Sequence, residues 1–179
     1  MKNKYTHEGY TLIELIVAVG LFALVMMLAS GAYLMMIDIN RRTQSIASGI
    51  DNLSFALETM TRTIRTSTNY GCPAAGQDCS DGTTFSVKDP AGQTVSYTES
   101  GGAITQTTNG ITVSLTDPST QVTSLKFYAI GTKSYSSSGG TDKQQARVTI
   151  IVSGTVSSGP GQTTPFTIET GATMRGTDI

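Results

Sequence analysis

The chain has 179 residues, with 12 Lys and Arg against 13 Asp and Glu, a formal charge of −1, and 38% hydrophobic residues. That length leaves room for one helix-anchored domain but not two, and the balanced charge gives no sign of a nucleic-acid-binding protein. The single histidine is His7, so the rest of the chain has no imidazole for a Ser-His-Asp or Cys-His arrangement and no His ligand for zinc. A Gly-rich phosphate loop with its lysine is also missing, and Asp89, Glu99, Asp117 and Glu169 are scattered among turns and strand ends. No enzymatic activity and no cofactor are expected.

A short basic segment with Lys2 and Lys4 leads to Gly9 and then to Tyr10-Thr11-Leu12-Ile13-Glu14-Leu15. No charged residue follows from Leu15 to Ile37. As a helix this run is about 35 Å long, enough to span a hydrocarbon core of about 30 Å with a little tilt. One acid, Glu14, stands just inside its leading end. An acid within a membrane helix costs about 2.5–3.5 kcal/mol at the centre and less near the interface, which marks it as a functional suspect. The bland alternative is a tolerated acid that snorkels to the headgroups or caps its own helix.

Residues 8–37, from Glu8-Gly9-Tyr10-Thr11-Leu12-Ile13-Glu14-Leu15 through the apolar run, resemble the type III signal of prepilins and pseudopilins. The resemblance implies cleavage by a prepilin peptidase after Gly9 and N-methylation of the new terminus at Tyr10, where the family usually has Phe. It places Glu14 at the family's acid, which pairs with the terminal amine of a neighbouring subunit and so sets the axial register of a filament. Unlike an ordinary secretory signal, the apolar region follows the cut and is kept. Loss of residues 1–9 removes Lys2, Lys4 and Glu8, so the mature charge becomes −2. Lys2 and Lys4 favour a cytoplasmic N-terminus; Arg41 and Arg42 oppose this weakly and are offset by Asp38. With the motif deciding, residues from about 38 onward lie outside the membrane.

Beyond the apolar run, Ile46, Ile50, Leu53, Leu57, Met60 and Ile64 recur at alternating spacings of four and three, the period of one helical stripe. Glu58 stands four residues before Arg62, a favourable helical pair, and Arg62 and Arg65 flank the stripe. One helix is predicted from about Thr11 to Arg65, roughly 80 Å long. A coiled-coil seam needs more heptads than this stripe has, so core packing is expected. Gly20 and Ser30-Gly31 interrupt the upper helix. The family often has a helix-breaking proline near Gly31, which makes that glycine a candidate for local melting; Gly20 and Ala23 equally permit close helix approach.

Ser67 to Gly82 contains Asn, Gly, Pro and both cysteines, the composition of a loop. Outside the cytoplasm an isolated pair such as Cys72 and Cys79 reads as a disulfide closing a small ring. Calcium occurs in some pseudopilins, but Asp78 and Asp81 alone are too few oxygens to define a site, and no metal is expected.

Short β-prone segments follow: 84–88, 94–98, 104–107, 111–115, 122–130, 147–153 and 166–173. Asn109-Gly110 between two of them is a hairpin signal. Leu125, Phe127, Tyr128 and Ile130 mark the most apolar strand, and Val148, Ile150 and Val152 alternate on one face. Ser134–Thr141 and Ser157–Thr164 read as solvated loops. Val122–Tyr128 and Thr173-Met174-Arg175-Gly176 loosely resemble the central and closing strands of larger minor pseudopilins.

The predicted architecture is α+β and pilin-like: a long N-terminal helix, membrane half then amphipathic half, packed on an antiparallel sheet. The divisions are a leader over 1–9, a membrane and assembly half over 10–37, an amphipathic half over 38–66 and an extracytoplasmic β-rich domain over 67–179. The resemblance implies a minor pilin or pseudopilin anchored by a single pass in the inner membrane. Its partners would be other pilin or pseudopilin subunits, prepilin peptidase, an inner-membrane assembly platform and membrane lipid. The alternative is a membrane-tethered binding or adhesin domain that never polymerises.

Overall fold

The computed structural model describes residues 9–72, 74–133, 144–159 and 161–175. In chain order they form α1 (Leu12–Thr66), β1 (Thr68–Gly71), β2 (Cys79–Gly82), β3 (Thr84–Lys88), β4 (Thr94–Ser100), β5 (Ala103–Thr108), β6 (Ile111–Ser114), β7 (Thr120–Ile130), β8 (Arg147–Gly159) and β9 (Gln162–Thr173). The chain divides into two units between Arg42 and Thr43.

The first unit contributes the leading part of α1. Its apolar side chains, from Leu12 to Ile39, are largely exposed. The helix holds an 18-residue window of mean hydropathy 2.7, long and apolar enough to cross a membrane, with none of that window buried. Ser30 donates its hydroxyl to the Met26 carbonyl at 2.7 Å, so the hydroxyl next to Gly31 is satisfied within the helix. Asp38 and Arg42 approach to 4.0 Å just past the apolar run.

The second unit joins the remainder of α1 to two antiparallel sheets, ordered β1-β3-β4-β5-β6 and β2-β7-β8-β9. Period-two alternation puts Phe85, Val87, Val95 and Tyr97 of the first sheet inside, with Val122, Leu125, Phe127, Val148, Ile150 and Val152 of the second. Leu53, Leu57, Met60 and Ile64 of α1 complete this core. Phe85 ties the layers together: it stacks on Phe127 with centroids 5.3 Å apart and meets Tyr70 edge-on at 5.5 Å. The C-terminal carbonyls of α1, which have no partner within the helix, are taken up locally. Ile64 accepts the Tyr70 hydroxyl at 2.6 Å and the Ser67 amide at 3.1 Å, and Arg65 accepts the Arg175 amide at 3.0 Å.

The α+β architecture agrees with the sequence, with four differences. The expected single sheet is two, because β1 and β2 are edge strands of different sheets inside the stretch read as a loop. Both are four residues long and largely polar, and they carry no alternating pattern. Of the loop expected over Ser157–Thr164, residues 157–159 instead end β8 and residues 162–164 begin β9, with Ser157 paired to Thr163 and Gly159 to Gln162; inter-strand bonding overrides its Ser/Gly composition. The helical stripe is also rotated. Ile50 is 41% exposed, whereas Gly49 and Ala56 are buried. A Cβ on Gly49 would lie 2.7 Å from Val156 Cγ1, so the helix backbone itself approaches β8 there and turns Ile50 aside. Finally, Glu58 and Arg62 do not close to an ion pair; among the described residues the pairs within 4.0 Å are Asp38–Arg42 and Asp81–Lys126. The loop expected over Ser134–Thr141 lies outside the described residues, as do Gly176 and residues 1–8 of the leader.

Candidate functional site

Thr11 opens α1. Its Oγ1 accepts the Glu14 amide at 3.3 Å, and its carbonyl accepts the Leu15 amide at 3.2 Å. Thr11 is therefore the N-cap and Glu14 the N3 residue, with the spacing of a capping box but only its Thr11 side-chain bond made, an arrangement that starts a helix and tolerates an acid in its first turn. The spacing of the cap and the acid could have been read from the sequence as a helix start independent of any membrane role. The Glu14 side chain is exposed, and no described residue pairs with its carboxylate. Gly9 has nothing within 4 Å of the position a Cβ would take, and Tyr10 is 86% exposed. Gly9, Tyr10 and the Glu14 side chain are thus all exposed, with the apolar surface of α1 beginning at Leu12. The same helix keeps Gly20 and Gly31 in open space.

A second cluster of sequence-selected residues lies in the second unit. Cys72 follows β1 of one sheet, Cys79 begins β2 of the other, and the two are disulfide-bonded with Cα atoms 5.7 Å apart. The bridge therefore joins edge segments of the two sheets. Phe127 and Thr84 carbonyls lie 3.4 and 3.3 Å from the Cys79 and Cys72 sulfurs respectively. The flanking acids have separate occupations. Asp78 Oδ1 accepts the Thr132 amide at 2.9 Å and hydroxyl at 2.8 Å. Burial would raise its pKa, but the Thr132 bonds, a Gly131 amide bond and the Lys133 charge outweigh that and lower it. Asp81, at φ 72°, pairs with Lys126 at 3.0 Å and accepts the Tyr128 hydroxyl at 3.4 Å. Among the described residues no group of three or more His, Cys, Asp or Glu side chains could hold a metal ion.

The leading part of α1 is long and apolar enough to cross a membrane, and a helix-and-sheet unit with its own core follows it; these features fit a single-pass membrane-anchored protein. Residues 6–30 match the prokaryotic N-terminal methylation motif. This match supports a type IV pilin-like protein, and the motif implies processing by prepilin peptidase and assembly with other pilin subunits. Proteins of this type are generally structural. No curated protein and no solved structure matches the chain.

Proposed function

We propose that the protein is a minor pilin or pseudopilin subunit, cut after Gly9, methylated at Tyr10 and assembled into a type IV pilus or type II secretion-like filament. The observation that carries this reading is the contrast within α1. Leu53, Met60 and Ile64 are fully buried in the second unit, whereas Leu12, Leu21, Phe22, Leu28 and Leu34 are at least 61% exposed. A helix that leaves this much apolar surface uncovered needs lipid before assembly and other helices after it. The transfer changes hydrophobic free energy little, because lipid tails and packed side chains are both apolar. Register must come from something else. Glu14 supplies it by pairing with the amine that cleavage exposes at Tyr10 of a neighbour; a unit-charge pair gains far more in a low-dielectric bundle than in water, less its desolvation. The second unit then lies outside the cytoplasmic membrane.

A second reading, a tethered head that binds a target without polymerising, is favoured by the edge strand β6. Its four residues are all exposed, with Ile111 at 70% and Val113 at 50%. Glu14→Ala separates the two. Under the assembly reading the variant inserts into the membrane but is lost from sheared filaments or from the secretion complex. Unchanged function with Glu14→Ala would favour the tether. Mass spectrometry of the mature chain should give Tyr10 as its methylated first residue; any other terminus overturns the processing step.

A further inference from the structure

A groove of about 430 Å³ lies where α1 ends, lined by Glu58, Thr61, Arg62, Arg65, Thr66 and Arg175. It is lined by three arginines from parts of the chain distant in sequence, because the Arg175 amide is fastened to the Arg65 carbonyl. No carboxylate of a described residue lies within 4.0 Å of any of the three. Thr61 and Thr66 donate their hydroxyls to helix carbonyls, of Glu58 at 3.0 Å and of Thr63 at 3.0 Å. The hydrogen-bond donors left facing the groove are thus those of the arginines.

Arg62 and Arg65 are partly explained as cations near a helix C-terminus, where the macrodipole amounts to roughly half a negative charge. Arg175 is not on the helix. The last carbonyls are also already engaged by Ser67, Tyr70 and Arg175. Among the described residues, three full positive charges against Glu58 and a largely satisfied dipole leave the groove cationic. Guanidinium forks suit carboxylate and phosphate oxygens, which they bind in pairs. The volume matches ligands much larger than one small anion. A segment with several carboxylates can give each of the three forks its own partner, which a single lipid phosphate cannot.

We propose that this groove is a docking site for an acidic peptide segment, a short stretch of another protein chain bearing two or more Asp or Glu side chains. Only the identity of that chain as a neighbouring subunit rests on the assembly reading above.

The full-length protein in detergent, titrated into fluorescein-labelled hexaglutamate, tests it by anisotropy. Saturable binding should weaken about tenfold in Arg62→Glu/Arg65→Glu and substantially in Arg175→Glu, and should tighten in Glu58→Gln. Lys88→Glu/Arg147→Glu makes the same charge change on exposed strand positions and should leave binding intact. Absent hexaglutamate binding, or an equal loss in the Lys88/Arg147 control, overturns the site. So does displacement by glycerol 3-phosphate at concentrations where free glutamate has no effect, which would make it a phosphate site. If the charge-reversed pair fails to give the wild-type melting curve, Arg62→Gln/Arg65→Gln replaces it, with the same loss expected. These outcomes are independent of Glu14→Ala: hexaglutamate binding can fail while that variant still abolishes incorporation, and the reverse.

Discussion

Gly82 stands against the Cys72 sulfur: a Cβ built on it would fall on Cys72 Sγ and lie 3.1 Å from Cys79 Sγ. The φ of Gly82 is not among the positive values, so alanine is free to adopt its backbone and the obstacle is steric. Gly82→Ala should therefore displace the bridge and lower the melting temperature. In the chain-entropy model a ring this small contributes roughly 2.5 kcal/mol, which is the loss expected for Cys72→Ser/Cys79→Ser. In a Cys72→Ala/Cys79→Ala background, Gly82→Ala should cost far less than in the wild type. Thermal melts of the four proteins check this, and an equal cost in both backgrounds would mean that the sulfurs are not what Gly82 accommodates.

At Gly49 two effects compete. Alanine in place of a helical glycine gains about 1 kcal/mol in propensity, but here its Cβ would lie 2.7 Å from Val156 Cγ1 and 3.0 Å from Val156 Cβ. Val156 is buried and stiff at χ1, so it cannot rotate away cheaply. Overpacking costs typically 1–3 kcal/mol, and Gly49→Ala should be net destabilising. Val156→Ala should recover part of that loss when combined with it. On the same helix Ile50→Ala should cost under about 1 kcal/mol and Leu53→Ala about 2–5 kcal/mol, although the two residues look equivalent as members of one periodic stripe. Denaturant titration of the variants measures all four.

What the sequence made legible was local. Asn109-Gly110 is a two-residue turn with φ 52° and 80°, between paired Thr108 and Ile111, because those residues carry the positive φ values such a turn needs. The α1 stripe showed through its period, and Cys72 with Cys79 showed through isolation and setting. What stayed hidden depends on partners distant in the chain. Cys79 pairs with Ala129 and Thr68 with Lys88, contacts that four polar residues do not announce. The rotation that buries Gly49 and exposes Ile50 follows from how closely β8 can approach a residue without a side chain. The arginine groove was half visible: Arg62 and Arg65 stood out on the helix, but nothing in the sequence brought Arg175 to them.

Acid should weaken the second unit through Asp78. The Thr132 and Gly131 bonds and Lys133 hold its pKa below the ordinary 3.8 despite burial. Its stabilising contribution is therefore complete above the unfolded-state pKa and is lost as pH falls through the lower folded value. Asp78→Asn should flatten the fall in melting temperature between about pH 5 and pH 2, with a small effect at neutral pH because the site is partly exposed. Thr132→Val should do the same by removing the hydroxyl partner. Identical acid limbs in wild type and both variants would show that other carboxylates govern the transition.

Tyr97 tests the interior in the opposite sense. Its ring is fully buried, and its hydroxyl, next to Thr63, has no partner in hydrogen-bonding geometry. A buried polar group left unpaired costs about 1–3 kcal/mol. Tyr97→Phe removes the oxygen while keeping the ring between Phe85 and Gln106, its cross-strand partners. The variant should melt at or above the wild-type temperature, whereas Tyr97→Leu should fall by several degrees. A large loss with Tyr97→Phe would reveal a hydrogen bond through water or through a shift of Thr63.

Gly9 gives the clearest separation of processing from folding. Nothing lies within 4 Å of the place its Cβ would take, and it precedes the Thr11 cap, so a larger residue there disturbs no packing and no helical bond. Gly9→Val should therefore leave the melting temperature and membrane insertion unchanged. It should also keep the leader attached, so that the protein runs at its precursor mass, the Tyr10 amine never forms and Glu14 of a neighbour has no cation to meet. Incorporation should then fail to the same extent as with Glu14→Ala, and the double variant should be no worse than either alone. An additive double variant would mean that the leader and the carboxylate act on different steps, and the pairing of Glu14 with a neighbour's Tyr10 amine would have to be given up.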